Sequence, residues 1–301
     1  MKVTPTISKI AMVVSGICMG TVGLFITLLK TFPIYSIVFF RGLFGTIFLT
    51  FLMLFTKSFS LRFFSQSFKA HWKYLIIIAI TNPLVILFYF FTIQISGTAF
   101  AAFLLYTSGI YLLLLLTFTK EEKISKLNYV CFILAIIGVS IIMEFWSGTL
   151  LSYGLIFGLL SGLTLGILIF SKKKIYNQRK RNNLSSKNVG NFDIFLTWFS
   201  TLSIVILFLP IGFEDLFNFT LGDFLISLLL GFIPTAFAFT LYNIGVKNDQ
   251  GGNIVILSYS EIIVSVIINL FFFPSFSIFT IIGGCLVLSA NIIILRYDKI
   301  R

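Results

Sequence analysis

Charge is scarce in this 301-residue chain: only 11% of residues are Asp, Glu, Lys or Arg, against roughly 25% in a soluble domain. That scarcity excludes a water-soluble globule, and the abundance of apolar residues excludes disorder. A single His and three scattered Cys leave too little material for a metal cluster or a disulfide framework. No G-x-x-x-x-G-K-[ST] occurs, so the chain cannot itself be an ATP-driven pump. No Ser/His/Asp set and no His/Asp/Glu cluster is suggested either. The expectation is a protein that is not an enzyme and needs no cofactor or metal. His71, beside Trp72, reads as a solvated or headgroup-facing residue of an inner loop.

What the chain has in quantity is apolar bulk. Hydrophobic residues make up 58%, 38 residues are Phe, and the mean hydropathy is +1.06. Bilayer-length apolar runs recur ten times, near 8–29, 34–55, 73–94, 98–118, 128–146, 152–170, 192–212, 223–245, 252–273 and 276–295. A span needs about 20 residues, and backbone polar groups in lipid must be paired within helices or a closed barrel. The runs are continuous rather than alternating, so they predict helices. The fold class is therefore all-α integral membrane. The first run is preceded by Lys2 and Lys9 like a signal sequence, but it is too long and lacks a small-x-small cleavage site, so it reads as a retained helix.

The net charge of +12 acquires meaning from its placement. With the N-terminus inside, twenty of the 22 Lys and Arg residues fall in inner segments, Lys30 alone falls outside, and Arg41 lies within the second span. This follows the positive-inside rule and predicts a multi-pass cell-membrane protein with both termini cytoplasmic. The stretch 172–191 holds seven basic residues and no Asp or Glu before position 193. It reads as a cytoplasmic loop facing anionic lipid heads. Nothing there supports nucleic-acid binding.

The two halves are alike. Ser15-Gly16 and Gly20 recur as Ser161-Gly162 and Gly166, and Gly138 recurs as Gly284, all at an offset of 146. Ser108-Gly109-Ile110 matches Ser260-Glu261-Ile262, and Pro83 matches Pro234, at offsets of 152 and 151. These matches divide the chain into repeats 1–147 and 148–301, each with five spans. A duplicated unit with an odd number of spans must enter the membrane in opposite senses, so the repeats are inverted, as in alternating-access carriers. A proline within a helix frees a carbonyl that needs another partner or a wet cavity. Matching breaks at Pro83 and Pro234 therefore point to a transport site. Gly16, Gly20 and Gly23 stand at helical spacing and read as close-packing positions.

The chain resembles the drug/metabolite transporter superfamily, specifically its EamA-type carriers. The stretch Gly20-Thr21-Val22-Gly23-Leu24-Phe25 is similar to that family's first helix, and Pro33 followed by Arg41 to its second. Gly97-Thr98-Ala99-Phe100-Ala101-Ala102 resembles the entry to the fourth, Glu122-Lys123-Ile124-Ser125 its closing signature, and Glu261 an acidic position in the ninth. The chain departs from the family with Ile110 and Ile262 in place of prolines, and with Pro274-Ser275-Phe276-Ser277 in place of the second closing signature. The resemblance implies a ten-helix secondary carrier whose cavity is lined by spans 1–4 and 6–9, with spans 5 and 10 peripheral. Members move amino acids, metabolites, drugs or cations.

Charges deep in a bilayer cost roughly 2.5–3.5 kcal/mol on insertion scales and usually face a cavity. Arg41 and Glu261 are the deep charges, whereas Glu144 and Asp193 lie near span ends and read as interfacial. Arg41 could hold a carboxylate bidentately or anchor on backbone carbonyls. Glu261 could bind an amine, carry a proton, or fix helix packing. If both line one cavity, a zwitterion such as an amino acid would satisfy both; if they pair, a neutral solute fits better. Asn82, Tyr89, Tyr106, Tyr242, Asn243 and Tyr259 are the polar and aromatic candidates to complete the site, with helix–helix hydrogen bonding as their plainer role. The expected function is secondary transport of an amino acid, amine or drug-like solute by alternating access, by exchange or with a proton. The alternative is a channel or lipid scramblase. Partners are the solute, membrane lipids and a proton, with a homodimer left open. Substrate, direction and coupling ion do not follow from the sequence.

Overall fold

Long apolar runs without water have one economical solution, which is to satisfy every backbone group within a helix. The computed structural model follows it. It describes residues 5–56, 61–119, 126–142, 153–181, 189–247, 260–272 and 277–297, and among them no strand occurs. The helices are α1 (Pro5–Gly20), α2 (Val22–Leu28), α3 (Ile34–Phe55), α4 (Leu61–Ser96), α5 (Thr98–Leu105), α6 (Ser108–Phe118), α7 (Lys126–Ile142), α8 (Tyr153–Arg181), α9 (Val189–Gly212), α10 (Leu221–Gly231), α11 (Ala238–Lys247), α12 (Ser260–Phe272) and α13 (Ile278–Tyr297). A π-helical turn, Phe232–Phe237, joins α10 to α11.

Seven segments among the described residues are long and apolar enough to cross a membrane, and Ser260–Phe272 and Ile281–Ala290 are shorter apolar helices. Phe55, Phe118 and Phe271 stand fully out from the helices. In water such a surface would aggregate; in lipid it is the ordinary exterior. The chain is a multi-span, all-helical membrane protein.

Two of the expected spans match their helices end to end: α3 covers 34–55, and α5 with α6 covers 98–118. Sharp breaks fall where the sequence permits them. Gly97, at φ 85°, turns the chain from α4 into α5, a conformation that costs a side chain dearly. Pro33 precedes α3, and its carbonyl accepts from Ser36 and Ile37. Thr220 caps α10 reciprocally with Asp223.

The sixth span is longer than the sequence suggested. α8 continues to Arg181, so residues 172–181 are helical and not loop, and Lys172, Lys173 and Arg179 are buried. The rest of the predicted loop lies at 182–188, outside the described residues, and at 189–191, which open α9. Burial is achieved by neighbours: the Arg179 guanidinium lies 3.8 Å above the Phe192 ring. Asp193 is likewise buried rather than interfacial, accepting from the Tyr176 hydroxyl at 2.9 Å. His71 is not solvated either. It sits buried at a kink in α4, with Nδ1 3.0 Å from Gln178 Oε1 and its ring edge-on to Phe192. Glu144 lies outside the described residues.

Helix partners fall into a regular arrangement. α1 packs on α11 and α12; α8 packs on α4, α5 and α6; α3 packs on α9; α7 packs on α13. The glycines hold these contacts close. A Cβ on Gly20 would lie 2.5 Å from Val264 Cβ and 2.8 Å from the Glu261 carbonyl oxygen. A Cβ on Gly166 would lie 2.8 Å from Tyr111 Cβ and 3.1 Å from the Ser108 carbonyl oxygen. Gly20 therefore does the packing work the sequence assigned it, and Gly166 does the same in the second half. Gly20→Ala is expected to lower the unfolding midpoint in detergent, because the overpacking cost of about 1–3 kcal/mol exceeds the helix propensity gained, about 1 kcal/mol at most. Gly222→Ala, where an added Cβ would lie 3.7 Å from Thr220 Oγ1, serves as the control and should not lower it.

Candidate functional site

The break at Pro234 organises one wall of a central cavity. Proline has no N–H to give the carbonyl one turn back. Here that carbonyl, of Leu230, instead accepts from the Thr235 hydroxyl at 2.9 Å. The turn opens into a π-helix, a distortion common at functional sites. Arg41 of α3 reaches into it. Its Nε donates to Thr235 Oγ1 at 2.9 Å and its Nη2 to the Pro234 carbonyl at 3.0 Å. The guanidinium carbon lies 5.4 Å from the Phe90 ring centre and 5.3 Å from that of Phe239. Of the two roles the sequence left open for Arg41, the bonding to a backbone carbonyl is present.

Glu261 of α12 also lines this cavity. The Tyr89 hydroxyl of α4 donates to Oε1 at 3.0 Å, and the Tyr106 hydroxyl donates a short bond to Oε2. Tyr106 is presented by the break between α5 and α6, where Thr107 N–H turns back to the Leu104 carbonyl at 3.1 Å. Glu261 is 2% exposed and Arg41 3%. Both line the same cavity.

The cavity encloses about 60 Å³, room for a few waters and far below the roughly 300–1,000 Å³ of a ligand pocket. Its lining comes from α1, α2, α3, α4, α5, α8, α11 and α12, together with Tyr106 at the α5–α6 break. Neither α7 nor α13 contributes. Of the candidates named from sequence, Arg41, Asn82, Tyr89, Tyr106, Tyr242 and Glu261 line it. Asn82 also donates to the Ser200 carbonyl at 2.9 Å, tying α4 to α9 beside the Pro83 position. Asn243 does not line it; it stands behind, accepting from Lys172 Nζ at 2.9 Å. Tyr259 lies outside the described residues.

Lys172 was missed. It lines the cavity with Leu165 and Leu168. Those residues recur at helical spacing, so extending the sixth span by one turn would have put Lys172 on the same face.

The sequence model of the EamA-like transporter family matches residues 6–144. The EamA-like stretch runs from α1 through α7 and so carries Arg41, Asn82, Tyr89 and Tyr106. A protein of Archaeoglobus fulgidus described as an uncharacterized transporter is 26% identical over 287 residues, covering 95% of each chain. That similarity reaches beyond the EamA-like stretch into the half that supplies Lys172 and Glu261. A protein known from a crystal structure superposes with a TM-score of 0.65 at 12% identity, over 98% of this chain and 99% of its own. This likeness concerns the fold alone.

Proposed function

We propose that this membrane transporter is a secondary carrier that moves a small metabolite across the cell membrane by alternating access. The observation that carries the reading is the cavity bordered by Arg41 and Glu261, a buried base and a buried acid contributed by different halves of the chain. Charges at such depth are costly unless they serve a solute pathway.

The reading places ten spans in two inverted repeats, 1–147 and 148–301. The helix contacts support it. Exchanging the first five spans for the last five turns the contact of α1 with α11 into that of α8 with α4, and the contact of α1 with α12 into that of α8 with α5 and α6. The pairs α3–α9 and α7–α13 map onto themselves. The small cavity volume fits a contracted conformation that must open to one side to admit a metabolite. Glu261 is the proposed proton carrier, and the basic inner segments orient both termini to the cytoplasm.

The test is counterflow in proteoliposomes. A carrier loaded with unlabelled solute accumulates labelled solute transiently and saturably. A flux that grows linearly with concentration and shows no counterflow would replace the carrier reading with a channel, and lipid flip without solute flux would replace it with a scramblase.

A further inference from the structure

The charges around the cavity do not balance. Among the described lining residues the side chains of Arg, Lys, Asp or Glu type are Arg41, Lys172 and Glu261. Two are basic and one is acidic. Glu261 has both oxygens engaged, by Tyr89 and by Tyr106. Arg41 is held by Thr235 and the Pro234 carbonyl between two phenyl rings, none of which carries charge.

Lys172 is the odd member. It is 2% exposed, and its ammonium has three donors. One of them goes to Asn243 Oδ1 at 2.9 Å. Asn243 is itself oriented, because its Nδ2 donates to Thr197 Oγ1 at 2.6 Å, and Thr197 in turn donates to the Asp193 carbonyl at 2.8 Å. The amide is thereby turned with its oxygen towards the lysine. The Tyr242 and Phe239 rings lie 5.4 and 5.9 Å from Nζ. Rings and a neutral amide support an ammonium but do not neutralise it. Among the described residues no carboxylate pairs with Lys172.

A net positive charge in a water-poor, lipid-surrounded interior calls for a counter-charge. The rest of the wall limits what can supply it. Val85, Ile86, Leu165 and Leu168 make it apolar. We propose that the ligand of this cavity is a monocarboxylate with a small apolar body, its carboxylate taken by Lys172 with the Arg41 guanidinium and its body against those four residues. A monoanion brings the site to neutrality. A zwitterion leaves the excess positive charge in place, and its ammonium meets a Glu261 already occupied by two tyrosines. An amine raises the excess. A phosphate ester, at about −1.5 to −2, overshoots it. An inorganic monoanion balances the charge but leaves the apolar wall without a partner. The zwitterion suggested when only Arg41 and Glu261 are considered is thus displaced by the third charge.

The inference rests on the carrier reading only for transport; binding tests it without a gradient. Three probes share one branched body: 4-methylpentanoate, leucine and 3-methylbutylamine. Thermal unfolding of the purified full-length protein is followed as each is titrated, since a ligand of the native state raises the midpoint by mass action. The carboxylate should shift the midpoint saturably, leucine should bind about tenfold or more weakly, and the amine should give no shift. Chloride should not displace the carboxylate at matched ionic strength. Lys172→Met should weaken carboxylate binding about ten- to a hundredfold, the loss of a charged hydrogen bond, while Lys172→Arg stays within a few fold. If Lys172→Met does not fold, the wild-type series decides alone. Tighter binding of leucine or the amine, displacement by chloride, no binding of the carboxylate, or a folded Lys172→Met with unchanged affinity each overturns the proposal. Intact carboxylate binding without counterflow sinks the carrier reading and leaves this one standing.

Discussion

Arg41→Met should reduce counterflow by about a hundredfold or more, while Arg41→Lys should be the less stable protein of the two. The two outcomes separate charge from geometry. Methionine removes the cavity's guanidinium and both of its bonds, to Thr235 Oγ1 and to the Pro234 carbonyl. Losing a charged group that meets solute in the transition between states costs about 3 kcal/mol or more when the site is desolvated, which is the stated hundredfold. The fold loses less. The unpaired Pro234 carbonyl costs about 1–3 kcal/mol, partly offset because no charge is buried any longer. Lysine keeps the burial cost but cannot fork between a hydroxyl and a carbonyl. It therefore leaves a charge buried inside the protein with fewer partners, and its unfolding midpoint should fall below that of the methionine variant. Thr235→Val adds a check. Its hydroxyl bridges Arg41 Nε and the Leu230 carbonyl, so the double variant Arg41→Met/Thr235→Val should lose less stability than the two single changes together. Wild-type counterflow by Arg41→Met would remove the guanidinium from the transport site and leave it as a brace for the π-turn.

How far such a site can be read from sequence depends on what makes each residue conspicuous. Arg41 and Glu261 stand out because each is a lone charge deep in an apolar run. Pro83 and Pro234 stand out as prolines at matching places, although only Pro234 interrupts its helix: α4 runs on through Pro83 and kinks at His71 instead. Those signals are local, and they survive without a structure. Lys172 carries an equally informative charge but follows directly on an apolar run and opens a triplet of lysines, the same pattern as a cytoplasmic flank. The positive-inside rule accounts for such a triplet without a cavity, and only the continuation of α8 to Arg181 separates the two readings. Asp193 and His71 show the same limit: position along the chain does not give burial, which α8 supplies to both through Tyr176 and Gln178. The other illegible element is the partnership of distant residues. Nothing in the one-dimensional pattern says that Thr235 would take over the carbonyl freed by Pro234, or that tyrosines on α4 and at the α5–α6 break would converge on one carboxylate. Asn243 shows the converse. It was named for the right neighbourhood, yet its role is to aim an oxygen at a side chain the sequence had placed elsewhere.

Glu261→Gln should abolish the response of counterflow to a pH gradient and slow exchange at equal pH by about tenfold or more. The carboxylate accepts from two phenols at once. A carboxamide offers one acceptor oxygen; its nitrogen only donates. One of the two hydroxyls must then rotate and give up its bond, leaving a buried donor unmatched at about 1–3 kcal/mol. That accounts for slower exchange through a site that is intact but less well held. The gradient response is a separate matter, because an amide has no proton to exchange. Tyr106→Phe divides the two effects. It removes one donor from Glu261 but keeps the carboxylate, so its exchange should slow while the pH response survives. If Glu261→Gln slows exchange yet still answers the gradient, Glu261 is a packing residue and the coupling proton travels elsewhere. If neither property changes, the carboxylate has no part in transport, and the proposed solute pathway loses its acidic wall. The pair of variants thus assigns the short Tyr106 bond to architecture and the proton to Glu261, or separates them, from the same set of flux measurements.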